Sequence, residues 1–257
     1  MSDRPAPNSS GYDAAFYAEL EETALPSARV IAPMLMGWMK IDSVLDVGCG
    51  DGSWLSVFRE QGVGEVLGLD GPWVREDQLK IPGDCFARRS LDQGLELEGR
   101  RFDLAMTLEV AEHLPPPRAA GLVKELTQAA PVVFFSAAPP DQGGANHVNE
   151  QWPAYWADLF AGQGYRAIDA VRPAVWADER VCWWYKQNCL LFASDAAIAD
   201  SPKLKALAEA SPAIPHALIH PELFRQKVKL AEPSLGRWLK QGRRALARSL
   251  AKRKARG

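Results

Sequence analysis

Glu109, Glu112 and His113 stand at i, i+3 and i+4 in the segment FDLAMTLEVAEHLPPP, a spacing that puts three side chains on one face of a helical turn. Two carboxylates and an imidazole held together make an oxygen-rich set suited to a hard divalent cation, Mg²⁺ or Mn²⁺. His147, in GGANHVNEQW, is a fourth candidate ligand. Upstream, VLDVGCGDGSW places Gly48, Gly50 and Gly52 at alternate positions between a short apolar strand and a helix-compatible stretch. Glycine lacks a Cβ and accepts positive φ, so a ligand can lie directly on such a turn. After the first strand of an open α/β sheet, this turn becomes the floor of a nucleoside-cofactor crevice. The spacing is not the dinucleotide pattern G-x-G-x-x-G, because the third glycine comes one residue early and position 53 is serine.

These groups need a sheet to hold them. Strand candidates fall at 43–47, 65–69, 84–88, 102–107, 131–136, 165–169 and 187–193, with helical segments near 53–61, 73–79, 117–129 and 151–163. Alternation of this kind implies a mostly parallel sheet with helices on both faces. The loop carrying His147 follows the fifth strand and so opens on the same crevice as the glycine turn. Residues 13–39 have helical periodicity, read as two helices split near Leu25–Pro26. A long loop is expected between the last two strands.

The form D-x-G-x-G-x-G, starting at Asp46, resembles motif I of the class I methyltransferases that use S-adenosylmethionine. The resemblance covers roughly residues 40–195 and implies a Rossmann-like seven-stranded α/β sheet, mostly parallel, with a final antiparallel strand and here a C-terminal helical extension. It implies that Asp70, in VLGLDG at the end of the second strand, takes both ribose hydroxyls. A carboxylate suits that task because it can accept two hydrogen bonds at once. It also implies that Asp46 holds the cofactor's amino group and that Leu91–Asp92 borders the adenine. Gly48, Cys49, Gly50, Gly52, Trp54, Gly71 and Leu108 complete the implied cofactor set.

The E-x-x-E-H pattern with a distant histidine resembles metal-dependent O-methyltransferases, including small-RNA terminal 2′-O-methyltransferases and ubiquinone-biosynthesis O-methyltransferases. That resemblance implies metal ligation by Glu109, Glu112, His113 and His147. E-H-L after the fourth strand also occurs in class I methyltransferases where these residues serve the cofactor edge or the helix start. A bound cation could hold two neighbouring acceptor oxygens and lower the pKa of the one that attacks. His147 either completes the metal shell or takes the hydroxyl proton, since one neutral ring nitrogen cannot do both. Glu109 and Glu150 are the further catalytic candidates.

The acceptor is read from the loop HVNEQWPAYW, whose Asn146, Asn149, Glu150 and Gln151 can hydrogen-bond hydroxyls beside Trp152 and Trp156. Trp183, Trp184 and Tyr185 precede the last strand. Aromatic faces beside amides suit sugar rings, although tryptophans of this kind also build cores. H-V-N-E-Q-W-P and W-W-Y-K-Q-N resemble methyltransferases of bacterial surface polysaccharides, which implies a saccharide or lipid-linked glycan acceptor. The alternatives are an RNA ribose or small phenolic O-methyltransferase, and a non-catalytic protein that binds S-adenosylmethionine. An acidic body without a recognisable RNA-binding module weighs against RNA.

The chain has 257 residues, 47% hydrophobic and 24% charged, ordinary values for a globular protein. Its polar start, MSDRPAPNSSG, reads as disordered and as no signal peptide, and no run approaches the ~18 apolar residues of a membrane span. Cys49, Cys85, Cys182 and Cys189 lack C-x-x-C spacing, which favours reduced thiols in a cytoplasm. The net charge of −2 conceals an asymmetry: nine cations and no acid follow Glu232, while residues 1–233 hold 21 basic against 32 acidic residues. The expected organisation is therefore a disordered 1–11, a methyltransferase domain 12–195, a proline-punctuated connector 196–233 and a basic amphipathic helix 234–257. That helix, with Leu235, Trp238, Leu239, Leu246 and Leu250 on one stripe, is expected to meet an anionic membrane at its inner face, an anionic polymer such as RNA, its own domain, or a second subunit in a homodimer, or to leave its charges as a solvated face.

Overall fold

Strands and helices alternate from residue 43 onward. The computed structural model describes residues 14–231, with side chains from Glu22. A helix, α1 (Ala14–Met36), precedes β1 (Ser43–Val47), α2 (Ser53–Glu60), β2 (Glu65–Asp70), β3 (Phe86–Arg88) and β4 (Leu104–Leu108). Then come α3 (Ala119–Ala129), β5 (Val132–Ser136), α4 (Pro153–Ala161), β6 (Tyr165–Ile168), α5 (Val171–Val175), α6 (Trp183–Asn188) and β7 (Leu190–Ser194). The chain continues as α7 (Asp195–Asp200), α8 (Pro202–Ala210) and α9 (Pro221–Ala231).

The seven strands run in the order β3-β2-β1-β4-β5-β7-β6. Pairings among β3, β2, β1, β4 and β5 are parallel, and β7 is antiparallel to both β5 and β6. Strand order reverses between β1 and β4, so the crevice lies outside their carboxyl ends. The segments after β1, β2, β4 and β5 all open there.

Alternate strand residues feed two cores. Val44, Leu104, Met106 and Phe134 pack with α1, α2 and α5–α8, while Leu45, Ala105, Val133 and Phe135 pack with α3 and α4. Helix α1 runs unbroken through Pro26 and Pro33, where two helices are expected from the sequence. An interior proline costs about 3 kcal/mol. Burial of Ala24, Ala28, Ile31, Ala32 and Leu35 offsets that cost, and Ser27 Oγ donates to the Thr23 carbonyl at 2.6 Å.

Three further expectations change. Segment 73–79 forms only a 3₁₀ turn at Glu76–Gln78, none of whose residues is buried, so no apolar face holds a longer helix there. The long loop before β7 contains α5 and α6, too short to show a 3.6-residue period. Arg172 anchors α5: fully buried, it pairs with Asp169 and donates to the Gln187 and His216 carbonyls. The stretch read as a connector holds three helices, and Ile198, Leu204 and Ala208 of α7 and α8 join the first core. Ser201 caps α8 by accepting from the Leu204 amide, and Pro202 takes the first helical position. The expectations for 1–11 and 234–257 lie outside the described residues.

Candidate active site and metal centre

The turn after β1 hangs from the end of β2: Gly48 N donates to the Leu69 carbonyl at 2.7 Å and Cys49 N to the same oxygen at 3.2 Å. Gly48, Gly50 and Gly52 have φ of 82°, 56° and 79°. Val110, just beyond β4, closes on the bare Gly48 backbone so tightly that a Cβ there would sit 2.3 Å from its Cγ2. The Cys49 side chain turns down under Gly68, and burial raises its thiol pKa well above the usual range. Only the backbone of this turn is left for a ligand.

Asp70 reaches back from β2. Its Oδ2 accepts from Gly50 N at 2.7 Å and its Oδ1 from Gly71 N at 2.6 Å. The Trp73 side chain hydrogen-bonds the same carboxylate and lies across Gly71. Three of about four acceptor positions on Asp70 are thus taken. Asp46 is 2% exposed, and burial, then the charges of Asp70 and Asp51, push its pKa well above the carboxylate range. Asp51 accepts from Ser53 N and Oγ and pairs with Lys80. A cation brought beside Asp46 and Asp70 would favour their ionised forms, so the turn suits a ligand carrying positive charge.

The other cofactor candidates divide. Leu108 is buried at the end of β4. Leu91 is buried in the second core, where its carbonyl accepts from Arg118 Nε at 2.7 Å, while Asp92 is exposed. Trp54 turns into the core, edge-on to Phe134 and Tyr185 at 5.6 and 5.3 Å. That places its indole in the packing of α2 rather than on the turn.

After β4, a 3₁₀ turn at Ala111–His113 brings Glu112 and His113 to His147. One ligand atom from each lies within 4.8 Å of the others. Glu112 is fully buried; its Oε1 accepts from Ala138 N at 3.2 Å and its Oε2 has no partner. Burial, then the Glu109 charge, raises its pKa well above the usual range. The His113 Nδ1 is also buried without a partner, and burial lowers that ring to about 4, so it is neutral. The two rings meet edge to face at 4.8 Å. A buried carboxylate oxygen and a buried imidazole nitrogen left without partners, on residues whose ligand atoms gather within 4.8 Å, fit a cation.

His147 is held from behind. Its Nδ1 lies 2.8 Å from Glu150 Oε1, and Glu150 accepts from Asp141 N and Gly143 N. A carboxylate so placed orients the imidazole and fixes its tautomer. The ring lies on Gly144, where a Cβ would meet Nε2 at 2.2 Å. The Glu112 carbonyl accepts from Val148 N and Asn149 N, tying the segment after β4 to the loop that carries His147. Asn149 is 2% exposed, so it sits beneath the loop and away from the surface a hydroxyl could reach. Val148 and Trp152, by contrast, stand 58% and 42% exposed.

Glu109 does not join the cluster of Glu112, His113 and His147. Its φ is +55°, and this left-handed residue turns the carboxylate to Asn188 Nδ2 at 3.0 and 3.2 Å and to Gln142 Nε2 at 2.9 Å. Burial raises its pKa, while Asn188, Gln142 and Ser136 pull it back. The i, i+3, i+4 argument assumes an α-helical turn from Glu109. The backbone instead stays strand-like through Leu108, bends at Glu109 and becomes helical only at Ala111. Gln187 completes the amide network through Gln142 and Asn188. Sequence reasoning does not assign Gln142, Gln187 and Asn188 to the site, because no spacing relates them to Glu109 across 33 to 79 residues.

A family model described as a methyltransferase domain matches residues 13–180. The chain belongs to this methyltransferase-domain family. Among solved structures, Streptomyces venezuelae DesVI matches 74% of this chain and 100% of its own at 15% identity, with a TM-score of 0.52. A putative methyltransferase from Haloferax volcanii, solved with the Trm112 activator, matches 72% of this chain and 96% of its own at 15% identity and TM-score 0.51. A putative O-methyltransferase from Nostoc punctiforme matches 70% of this chain at 15% identity and TM-score 0.51, and the match spans 59% of that protein. At this identity the likeness is one of fold. A search of curated proteins found no match. Among the described residues of this methyltransferase, no helix is long and apolar enough to cross a membrane.

Proposed function

We propose that this methyltransferase transfers a methyl group from S-adenosylmethionine to a hydroxyl of a saccharide, beside a divalent cation held by Glu112, His113 and His147. The observation that carries the reading is the unpartnered pair Glu112 Oε2 and His113 Nδ1, placed with His147 at the same sheet edge as the bare turn Gly48–Gly52. Two imidazoles and one carboxylate favour Mn²⁺ or another transition metal over Mg²⁺ more than four ligands including Glu109 would. Such a cation would supply Lewis acidity to acceptor oxygens.

The chain's own residues do the rest. Asp46 meets the donor's ammonium, Asp70 its ribose, and the glycine backbone lets the nucleoside lie close. Methyl transfer is an in-line displacement, so alignment is the main requirement. The acceptor oxygen bonds the methyl carbon as the carbon–sulfur bond breaks, and Glu109, held by Asn188 and Gln142, receives the hydroxyl proton. Exposed Trp152 and Val148, on the loop that delivers His147, offer an apolar ledge of the kind a sugar ring stacks on.

The test is transfer of radiolabelled methyl from S-adenosylmethionine to a panel of oligosaccharides, RNA with a free terminal diol and catechols, with Mn²⁺ or with chelator. Label in the saccharide fraction that disappears with chelator supports the reading. Label in RNA or catechol alone moves the acceptor class, and chelator-insensitive transfer removes the metal.

A further inference from the structure

Helix α9 belongs to a second unit of the chain that begins at Ile219. Phe224, Val228 and Ala231 recur at i, i+4 and i+7, which places them on one face. Phe224 is 61% exposed, Val228 44%, and Leu230, nearby on the helix, 62%. Arg225 and Lys227 flank this stripe and Lys229 follows. Arg225 lies 3.5 Å from Glu222, an exposed pair that neutralises little. Residues 221–257 carry twelve Lys and Arg against Glu222 and Glu232, whereas residues 1–220 carry 18 basic and 30 acidic residues. Leu235, Trp238, Leu239, Leu246 and Leu250 are interspersed among the later cations.

We propose that α9 docks the methyltransferase on an anionic lipid surface, Phe224 and Val228 entering the acyl boundary while Arg225, Lys227 and Lys229, with the cations that follow in the sequence, meet headgroup phosphates. The charge sign selects an anionic partner, and the exposed aromatic and aliphatic side chains select a bilayer. A phosphate polymer would engage the cations and leave the apolar stripe in water, whereas an interfacial helix uses both faces. Long cationic side chains at the stripe's borders can lay their stems along apolar surface and keep their charges at the headgroups. The inference is independent of the acceptor proposed above.

The test sediments the full chain with vesicles of phosphatidylcholine alone and of phosphatidylcholine mixed with phosphatidylglycerol, at physiological salt. Binding is expected to the mixed vesicles only. Phe224→Ser with Val228→Ser is expected to weaken it at least about tenfold, as lost apolar burial requires, with S-adenosylmethionine binding unchanged. Arg225→Gln with Lys227→Gln and Lys229→Gln, which leaves every apolar residue in place, is expected to weaken it too. Failure of the wild-type chain to sediment with mixed vesicles overturns the proposal. So does retention by the serine variant, or tighter binding to poly(U) RNA than to mixed vesicles, which would assign the unit to a polyanion.

Discussion

Replacing Gly48 with Ala strains the turn in two separable ways. The backbone sits at φ +82°, where an L side chain costs about 1–2 kcal/mol. The new Cβ also meets Val110 Cγ2 at 2.3 Å and Cγ1 at 2.9 Å, and overpacking of this kind costs about 1–3 kcal/mol. The sum is roughly 2–5 kcal/mol, or a melting point lower by roughly 4–20 °C for a chain of this size. Val110→Ala in the same chain removes the methyl groups that clash and leaves the φ cost in place. Chemical denaturation of the two single variants and the double variant, read as a cycle, should return a favourable coupling of about 1–3 kcal/mol. A Gly48→Ala protein as stable as wild type would refute the geometry. A cycle with no coupling would show that Val110 does not close on the turn.

Three further outcomes follow from the site. Glu150→Gln removes the carboxylate behind His147 Nδ1 and should weaken Mn²⁺ affinity about 10- to 100-fold with the fold intact, measured by metal titration; unchanged affinity would remove Glu150 from the centre. Asp46→Asn should separate stability from binding. With no donor bound, the folded chain keeps the Asp46 proton above the usual 3.8, so its stability falls as pH rises from that value towards the raised folded pKa. The asparagine variant should lack this part of the fall, yet bind S-adenosylmethionine about 10- to 150-fold more weakly, the worth of a hydrogen bond to a charged group; a steeper fall or undiminished binding would contradict the assignment. Trp73→Phe should strengthen donor binding, up to about tenfold, because the indole no longer competes with ribose for Asp70; weaker binding would mean that Trp73 holds the donor.

The sequence made the sheet legible because buried parallel strands are short apolar runs: Ser43–Val47 is matched residue for residue, and the other six within about three. The glycine turn was legible for the same local reason, with Asp46 and Asp70 at strand ends. What stayed hidden depends on contacts distant in sequence. Helix α1 continues through Pro26 because of the core it packs on. Glu109 leaves the ligand set because of a left-handed backbone and amides 33 and 79 residues away. Glu150 meets His147 because the backbone amides of Asp141 and Gly143 fix its carboxylate there, a contact that spacing alone does not show. Cys49 and Trp54 sit beside the ligand in sequence yet face the core, a distinction that spacing does not encode.

Titration calorimetry of S-adenosylmethionine and its demethylated product into the folded chain tests the account at its root. Saturable heat at one site per chain is the expected result, abolished by Asp70→Ala while circular dichroism is unchanged. Silence with both ligands on wild-type protein, or full binding by the Asp70 variant, would contradict the donor site on which the acceptor and metal assignments rest.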